Sequence, residues 1–185
     1  LDYLLGDAGT IPADKGILLD TTWRLHPEIC EFISQSIYDG RLKAHPDNAK
    51  QKLILENSDL PEAGILMRAI EHDGNRQKSL EEAEALASLY EELLGQNWQN
   101  REGKIAPITP DDILIVAPYN AQVNLLEQKL PAGARIGTVD KFQGQEAAIV
   151  LVDGTQNVVT DAANYVYETA EDDEPNAAVF SDDPL

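Results

Sequence analysis

At 185 residues and 43% apolar content, the chain has enough material for one domain with a substantial core. Its single cysteine excludes an intrachain disulfide or a cysteine-based metal cluster, no apolar run approaches a membrane span, and no basic-then-apolar start marks a secretory signal, so a soluble cytoplasmic protein without a membrane partner is expected. The formal charge of −19, from 33 acidic against 14 basic residues, runs against the clustered Lys and Arg with which most phosphate-binding surfaces are built.

Residues 1–16 contain Gly6, Gly9, Pro12 and Gly16 and read as an irregular entry; with Leu1 in place of an initiator Met, the chain reads as an excised piece of a larger protein. A short buried strand is expected over 16–20. Pro27 then suits the first turn of a helix, where its missing N–H is not needed, and Glu28 suits the positive end of the macrodipole. That helix is expected over 27–39, stopped by Gly40, with Ile29, Cys30, Phe32, Ile33 and Ile37 on one face. Cys30 reads as a small core residue.

The polar span 43–57 shows no period and is expected to wrap the surface. Residues 64–70 read as a strand and 71–76 as a loop. Ser79 with Glu82 predicts a capping box, opening a helix that carries Leu80, Ala83, Leu86, Ala87, Tyr90, Leu93 and Leu94 and ends at Gly95. A long polar connection is expected over 96–110, with Trp98 as a surface clamp. Residues 112–117 form a continuous aliphatic run, as in a parallel strand covered on both faces, and 118–130 an amphipathic helix closed by Pro131 and Gly133.

Between that helix and a last aliphatic strand at 148–153 lies the densest polar stretch, Arg135-Ile-Gly-Thr-Val-Asp-Lys-Phe-Gln-Gly-Gln-Glu146. A short strand over 135–139 places residues 140–146 beyond a carboxyl strand end, where ligands gather in parallel sheets. Gly144 frees the backbone to turn, and Gln143, Gln145 and Glu146 offer groups suited to a ribose hydroxyl or a polarised phosphate. A loop bonded only to itself is the alternative. Strands alternating with helices predict an α/β fold with a three-layer parallel sheet over residues 1–153. The remainder, 154–185, is acidic and proline-punctuated and reads as a flexible tail; from Asp153 onward there are nine acids and no base.

Thr138-Val-Asp-Lys-Phe-Gln-Gly-Gln-Glu146 resembles motif V of superfamily 1 helicases, usually hydrophobic-Thr/Ser-Val-Asp-x-Phe-Gln-Gly-x-Glu. Thr22-Trp-Arg-Leu-His-Pro-Glu-Ile-Cys-Glu-Phe-Ile33 resembles Tyr-Arg-Met-His-Pro-x-Ile-x-x-Phe of motif IV, and Pro118-Tyr-Asn-Ala-Gln122 is similar to a Thr/Ala-Pro-Tyr-x-x-Gln element of the same superfamily. The resemblance spans residues 16–153 and is closest to bacterial proteins that fuse a RecB-like nuclease to a helicase, acting in DNA repair. It implies the second, carboxyl-terminal RecA-like domain of such a helicase.

The resemblance also implies roles. Arg24 matches the arginine that reaches the γ-phosphate of ATP, a catalytic task suited to a planar five-donor cation. Trp23 stands where the family has Tyr and would stack on the nucleotide base or on a neighbouring loop. Gln143, Gly144 and Glu146 match positions near the nucleotide; Thr138 matches a contact to the nucleic-acid backbone. Tyr119, Asn120 and Gln122 would face single-stranded DNA or RNA, with capping and packing as the alternative. His26 is read as a helix-entry hydrogen bonder, Asp140 as a turn cap, and an ion pair of Arg24 with Glu28 as the bland alternative for the arginine.

No Gly-x-x-x-x-Gly-Lys-Ser/Thr phosphate loop is present, and no Asp-Glu pair follows an apolar strand, so the phosphate loop and Mg²⁺ ligands are expected in the first RecA-like domain, the partner. The Asn-Val-Ala-x-Ser/Thr-Arg-Ala-Arg string of motif VI has no match, since no arginine follows Lys141. The alternative from a different class is a non-catalytic RecA-like interaction module whose acidic tail docks a basic partner.

Overall fold

The computed structural model describes residues 10–12, 14–71 and 75–154; the tail expected over 154–185 lies outside that description from Thr155 onward. The architecture is α/β with parallel strands, as expected. Its centre is β6 (Ile113–Val116), flanked by β7 (Arg135–Gly137) and β8 (Ile149–Val152) in the order β7-β6-β8, all parallel.

Ile113, Leu114 and Ile115 are all buried, which is why the central strand is an unbroken aliphatic run. Ile113 and Ile115 enter the main core, and Ile136 and Leu151 pair beside Ile115 on the same face. Two helices complete that core. α2 (Leu80–Leu94) brings Ala83, Tyr90 and Leu93; α3 (Asn120–Lys129) brings Val123 and Leu126, and the two pack on each other. The opposite face of the sheet is thinner: Leu114 is buried there, but Val150 and Val152 on β8 are exposed.

Ahead of this unit, β1 (Thr21–Thr22) pairs in parallel with β2 (Lys43–Ala44), with α1 (Pro27–Ile37) between them. The strand expected at 16–20 does not form; the two-residue ladder begins only at Thr21, and Ile17 and Leu19 are 90% and 83% exposed. Residues 64–70 form no strand either. Their run opens on Gly64 at φ +101°, and Ile65, Leu66 and Met67 are exposed; apolar composition supplies no ladder where no neighbouring strand offers its N–H and C=O groups.

The reverse error lies in the polar stretches. β3 (Lys52–Ile54), β4 (Asn97–Gln99) and β5 (Ile105–Pro107) build an antiparallel sheet where a surface wrap and a connection were expected. Asn100 makes the β4–β5 turn: its Oδ1 accepts from the N–H groups of Glu102 and Lys104, and Gly103 takes φ +82°. Trp98, expected as a surface clamp, pairs between Leu53 and Ala106 and packs against the core.

Two outcomes check the packing. Leu126→Ala, at a fully buried position, should lower unfolding stability in urea by about 2–5 kcal/mol. Burial, with Glu31 beside it, pushes the Cys30 thiol above its usual pKa, so less thiolate forms at a given pH; disulfide reagents at pH 8 should label it about tenfold slower or more than an exposed thiol until the chain is unfolded.

Candidate functional site

Arg24 sits in the turn that joins β1 to α1. Thr22 shapes the turn by accepting from the N–H groups of Arg24 and Leu25 at its Oγ1 (3.3 and 3.5 Å). His26 caps the helix, its Nδ1 accepting from Glu28 N–H at 3.3 Å, which is the helix-entry role expected for it. The guanidinium of Arg24 does not pair with Glu28. Its Nε reaches Glu146 Oε2 at 2.5 Å, joining the stretch 22–33 to the densest polar stretch, 135–146.

Glu146 arrives by a folded-back loop. Thr138 is the N-cap residue of α4 (Val139–Phe142), and Asp140 lies in its first turn. Gln145 then closes the return: its amide donates to Lys141 O at 3.1 Å, and its Oε1 accepts from Arg135 Nη2 at 2.7 Å. Arg135 also donates to Asp111 O, just before β6 begins. Lys141 donates to Ile136 O at 2.6 Å, its stem filling the space that a Cβ at Gly137 would need. Gly144 takes φ +83°, the conformation its freedom was expected to serve, and open space lies where a Cβ would stand.

The route of this loop corrects one expectation. Thr138 follows the carboxyl end of β7, but Gln145 is tied to Arg135, the first residue of that strand, and Glu146 lies three residues before Ile149, which pairs with the first residue of β6. Residues 140–146 therefore run back towards the amino ends of the strands. Two polar groups result. Arg24 and Glu146 form one, on the folded-back side, with Gln143 and Gly144 three and two residues before Glu146 in the chain. Thr138 belongs to the other, at the carboxyl end, with Tyr119, the N-cap residue of α3, and Asn120, its first residue; Tyr119 and Asn120 are exposed, and Thr138 is half-buried.

Gln122 does not share that surface. It is fully buried: its Oε1 accepts from Ser79 N–H at 2.8 Å, while Nε2 donates to Ser79 O at 3.1 Å and to Asp153 Oδ2 at 2.6 Å. Its amide thus stitches α3 to the start of α2 and the end of β8, and an expected contact to nucleic acid is corrected to an internal one. Ser79 caps α2 through Glu82 N–H as expected, but Gln122 holds the Ser79 N–H that a capping box would give to Glu82.

Trp23 stacks on His45 with centroids 3.7 Å apart and planes 21° off parallel, which favours the neighbouring-loop role over the nucleotide base. Arg101, in the β4–β5 turn, donates to Trp23 O at 3.2 Å and lies 5.9 Å from the ring centroid. Among the described residues, no group of three or more His, Cys, Asp and Glu side chains could hold a metal ion, and no helix is long and apolar enough to cross a membrane. The Arg24–Glu146 pair was legible as two motif residues; its partner choice was not, because it depends on where the loop turns back.

Comparison with known proteins bears on this arrangement. A family described as AAA domain matches residues 6–169. The 3'-5' exoribonuclease HELZ2 of Mus musculus is 27% identical over 150 residues, covering 74% of this chain and 5% of that protein. The DNA polymerase alpha-associated DNA helicase A of Schizosaccharomyces pombe is 27% identical over 146 residues, covering 72% and 22%. The DNA-binding protein SMUBP-2 of Rattus norvegicus is 29% identical over 150 residues, covering 73% and 14%. The chain therefore spans less than a quarter of the length of each of these relatives.

The two kinds of contact should separate in stability measurements. Gln122→Leu takes the acceptor from the buried Ser79 N–H and should cost about 1–3 kcal/mol in chemical denaturation. Arg24→Ala removes an ion pair whose side chains are 59% and 65% exposed and should change stability by less than about 1 kcal/mol.

Proposed function

The chain belongs to the AAA-domain family and is related to superfamily 1 helicases; from that membership and the geometry of its polar loops we propose that it is the second, carboxyl-terminal RecA-like lobe of an ATP-dependent helicase. The observation that carries the reading is the meeting of Arg24 with Glu146. Motif IV and motif V residues matched to one nucleotide are brought within bonding distance from opposite ends of the chain.

In the parent protein, ATP is the substrate of a cleft between this lobe and a first RecA-like lobe, which supplies the phosphate loop and the Mg²⁺ ligands. The side chains here that fit such a polyanion are Arg24, an exposed guanidinium held by the exposed carboxylate of Glu146, and Gln143, exposed beside the glycine turn at Gly144. Phosphate oxygens compete with Glu146 for Arg24, and Glu146, once released, is free to bond a ribose hydroxyl. Trp23 serves as a wall behind Arg24, braced on His45. The guanidinium offers charge stabilisation during phosphoryl transfer, which is the reason an arginine rather than a lysine suits the position.

Single-stranded DNA or RNA is assigned to the other polar group. Tyr119 offers an exposed ring for base stacking, and Asn120 and Thr138 offer groups for the backbone. α4 and the return to Glu146 connect the two groups, so closure on ATP at one side has a path to the strand at the other. The wording of the motifs supports a bacterial parent that also carries a RecB-like nuclease and works in DNA repair.

A second reading, a non-catalytic interaction module, is favoured by the −19 charge, which opposes nucleic-acid binding. The experiments separate the two. In a protein carrying both lobes, Arg24→Ala should lower the ATPase kcat by about a hundredfold or more, and Tyr119→Ala should weaken single-strand binding by about five- to a hundredfold at fixed salt. The 185-residue chain alone should show no magnesium-dependent ATPase activity. Unchanged turnover in Arg24→Ala, or ATPase activity of the chain alone that Arg24→Ala destroys, contradicts the assignment.

A further inference from the structure

Arg24 cannot aim itself. Its guanidinium is largely exposed and has one ionic partner among the described residues, also exposed, so any fixed direction has to come from the backbone that carries it. That backbone is held from outside the turn. Asn48, fully buried in a 3₁₀ turn over Pro46–Lys50, directs its Nδ2 at two carbonyls, Thr22 O at 3.1 Å and Leu25 O at 2.9 Å. These carbonyls bracket Trp23 and Arg24. Thr22 O also accepts from His45 N–H at 2.9 Å, and the His45 ring supports Trp23. From the other side, Arg101 donates to Trp23 O. Three carbonyls of one turn thus receive side-chain donors from two distant segments.

The chemistry at position 48 is particular. Both bonds need donors on one nitrogen, which a primary amide has and a carboxylate lacks. Among the described residues the amide oxygen has no hydrogen-bond partner, so the two donated bonds are the contacts that account for a polar side chain in this buried place. We infer that Asn48 is the positioning residue of Arg24: it fixes the turn so that the guanidinium is presented to the site without paying for order at the moment of reaction. The inference rests on the lobe reading above and adds to it a residue from a stretch whose sequence pattern shows nothing.

Two measurements test it. In the 185-residue chain, Asn48→Asp keeps the size and removes both donors; hydrogen exchange of the amides at 23–25 should quicken by about tenfold or more while those of α2 and β6 stay unchanged. In the two-lobed protein, Asn48→Asp should lower kcat for ATP by about tenfold with KM within about threefold, and the double variant with Arg24→Ala should be no slower than Arg24→Ala alone. Arg101→Ala, at an exposed residue, releases the turn from the other side should the buried change prevent folding. It should lower kcat less, and again add nothing to Arg24→Ala. If Arg24→Ala abolishes turnover while Asn48→Asp and Arg101→Ala leave kcat intact, or if their losses multiply with that of Arg24→Ala, the positioning role is wrong and the lobe reading stands. If Arg24→Ala leaves turnover unchanged, both fall.

Discussion

An exposed arginine–carboxylate pair is too weak to hold a fold together, and the pairing of Arg24 with Glu146 is such a pair. Its place in the molecule is therefore a consequence of everything else. β1 and its turn deliver one partner; β7, α4 and the ties of Gln145 to Arg135 and Lys141 deliver the other. Because the pair itself contributes little, a competing anion meets little resistance there. A site that must exchange partners during a cycle is better served by a weak contact between well-braced loops than by a strong contact between loose ones.

Buried amides do part of the bracing in the molecule. Gln122 bonds Ser79 twice and Asp153 once, and so locks the carboxyl end of β8 to the starts of α2 and α3. Asn48 does the equivalent for the turn before α1. Neutral amides carry donors and an acceptor without the desolvation that a buried charge would incur. In a chain with 33 acids, neutral bracing also avoids adding to the repulsion.

What could be read from the sequence was whatever local pattern determines. The run at 113–116 is a central parallel strand because both of its faces are covered, and α2 begins and ends where Ser79 and Gly95 said it would. The runs at 16–20 and 64–70 look equally apolar and form no strand, since a strand exists only with a neighbour. The antiparallel sheet of β3, β4 and β5 was missed for the converse reason: its strands are three residues long and partly polar, and pairing makes them. At the candidate site, Arg24 and Glu146 stood out by motif. Gln122, though part of a motif, read equally as a nucleic-acid contact or as packing because its partners Ser79 and Asp153 are remote in sequence, and Asn48 had no signal at all.

The most direct measurement is nuclear magnetic resonance of the Arg24 Nε–Hε group in a protein carrying both lobes, titrated with ATP and with AMP. The account predicts that ATP shifts this resonance along the same concentration curve that saturates turnover, as phosphate replaces Glu146, and that AMP, which lacks the outer phosphates, leaves it in place. An Arg24 resonance unmoved by ATP that is bound and being hydrolysed would contradict it.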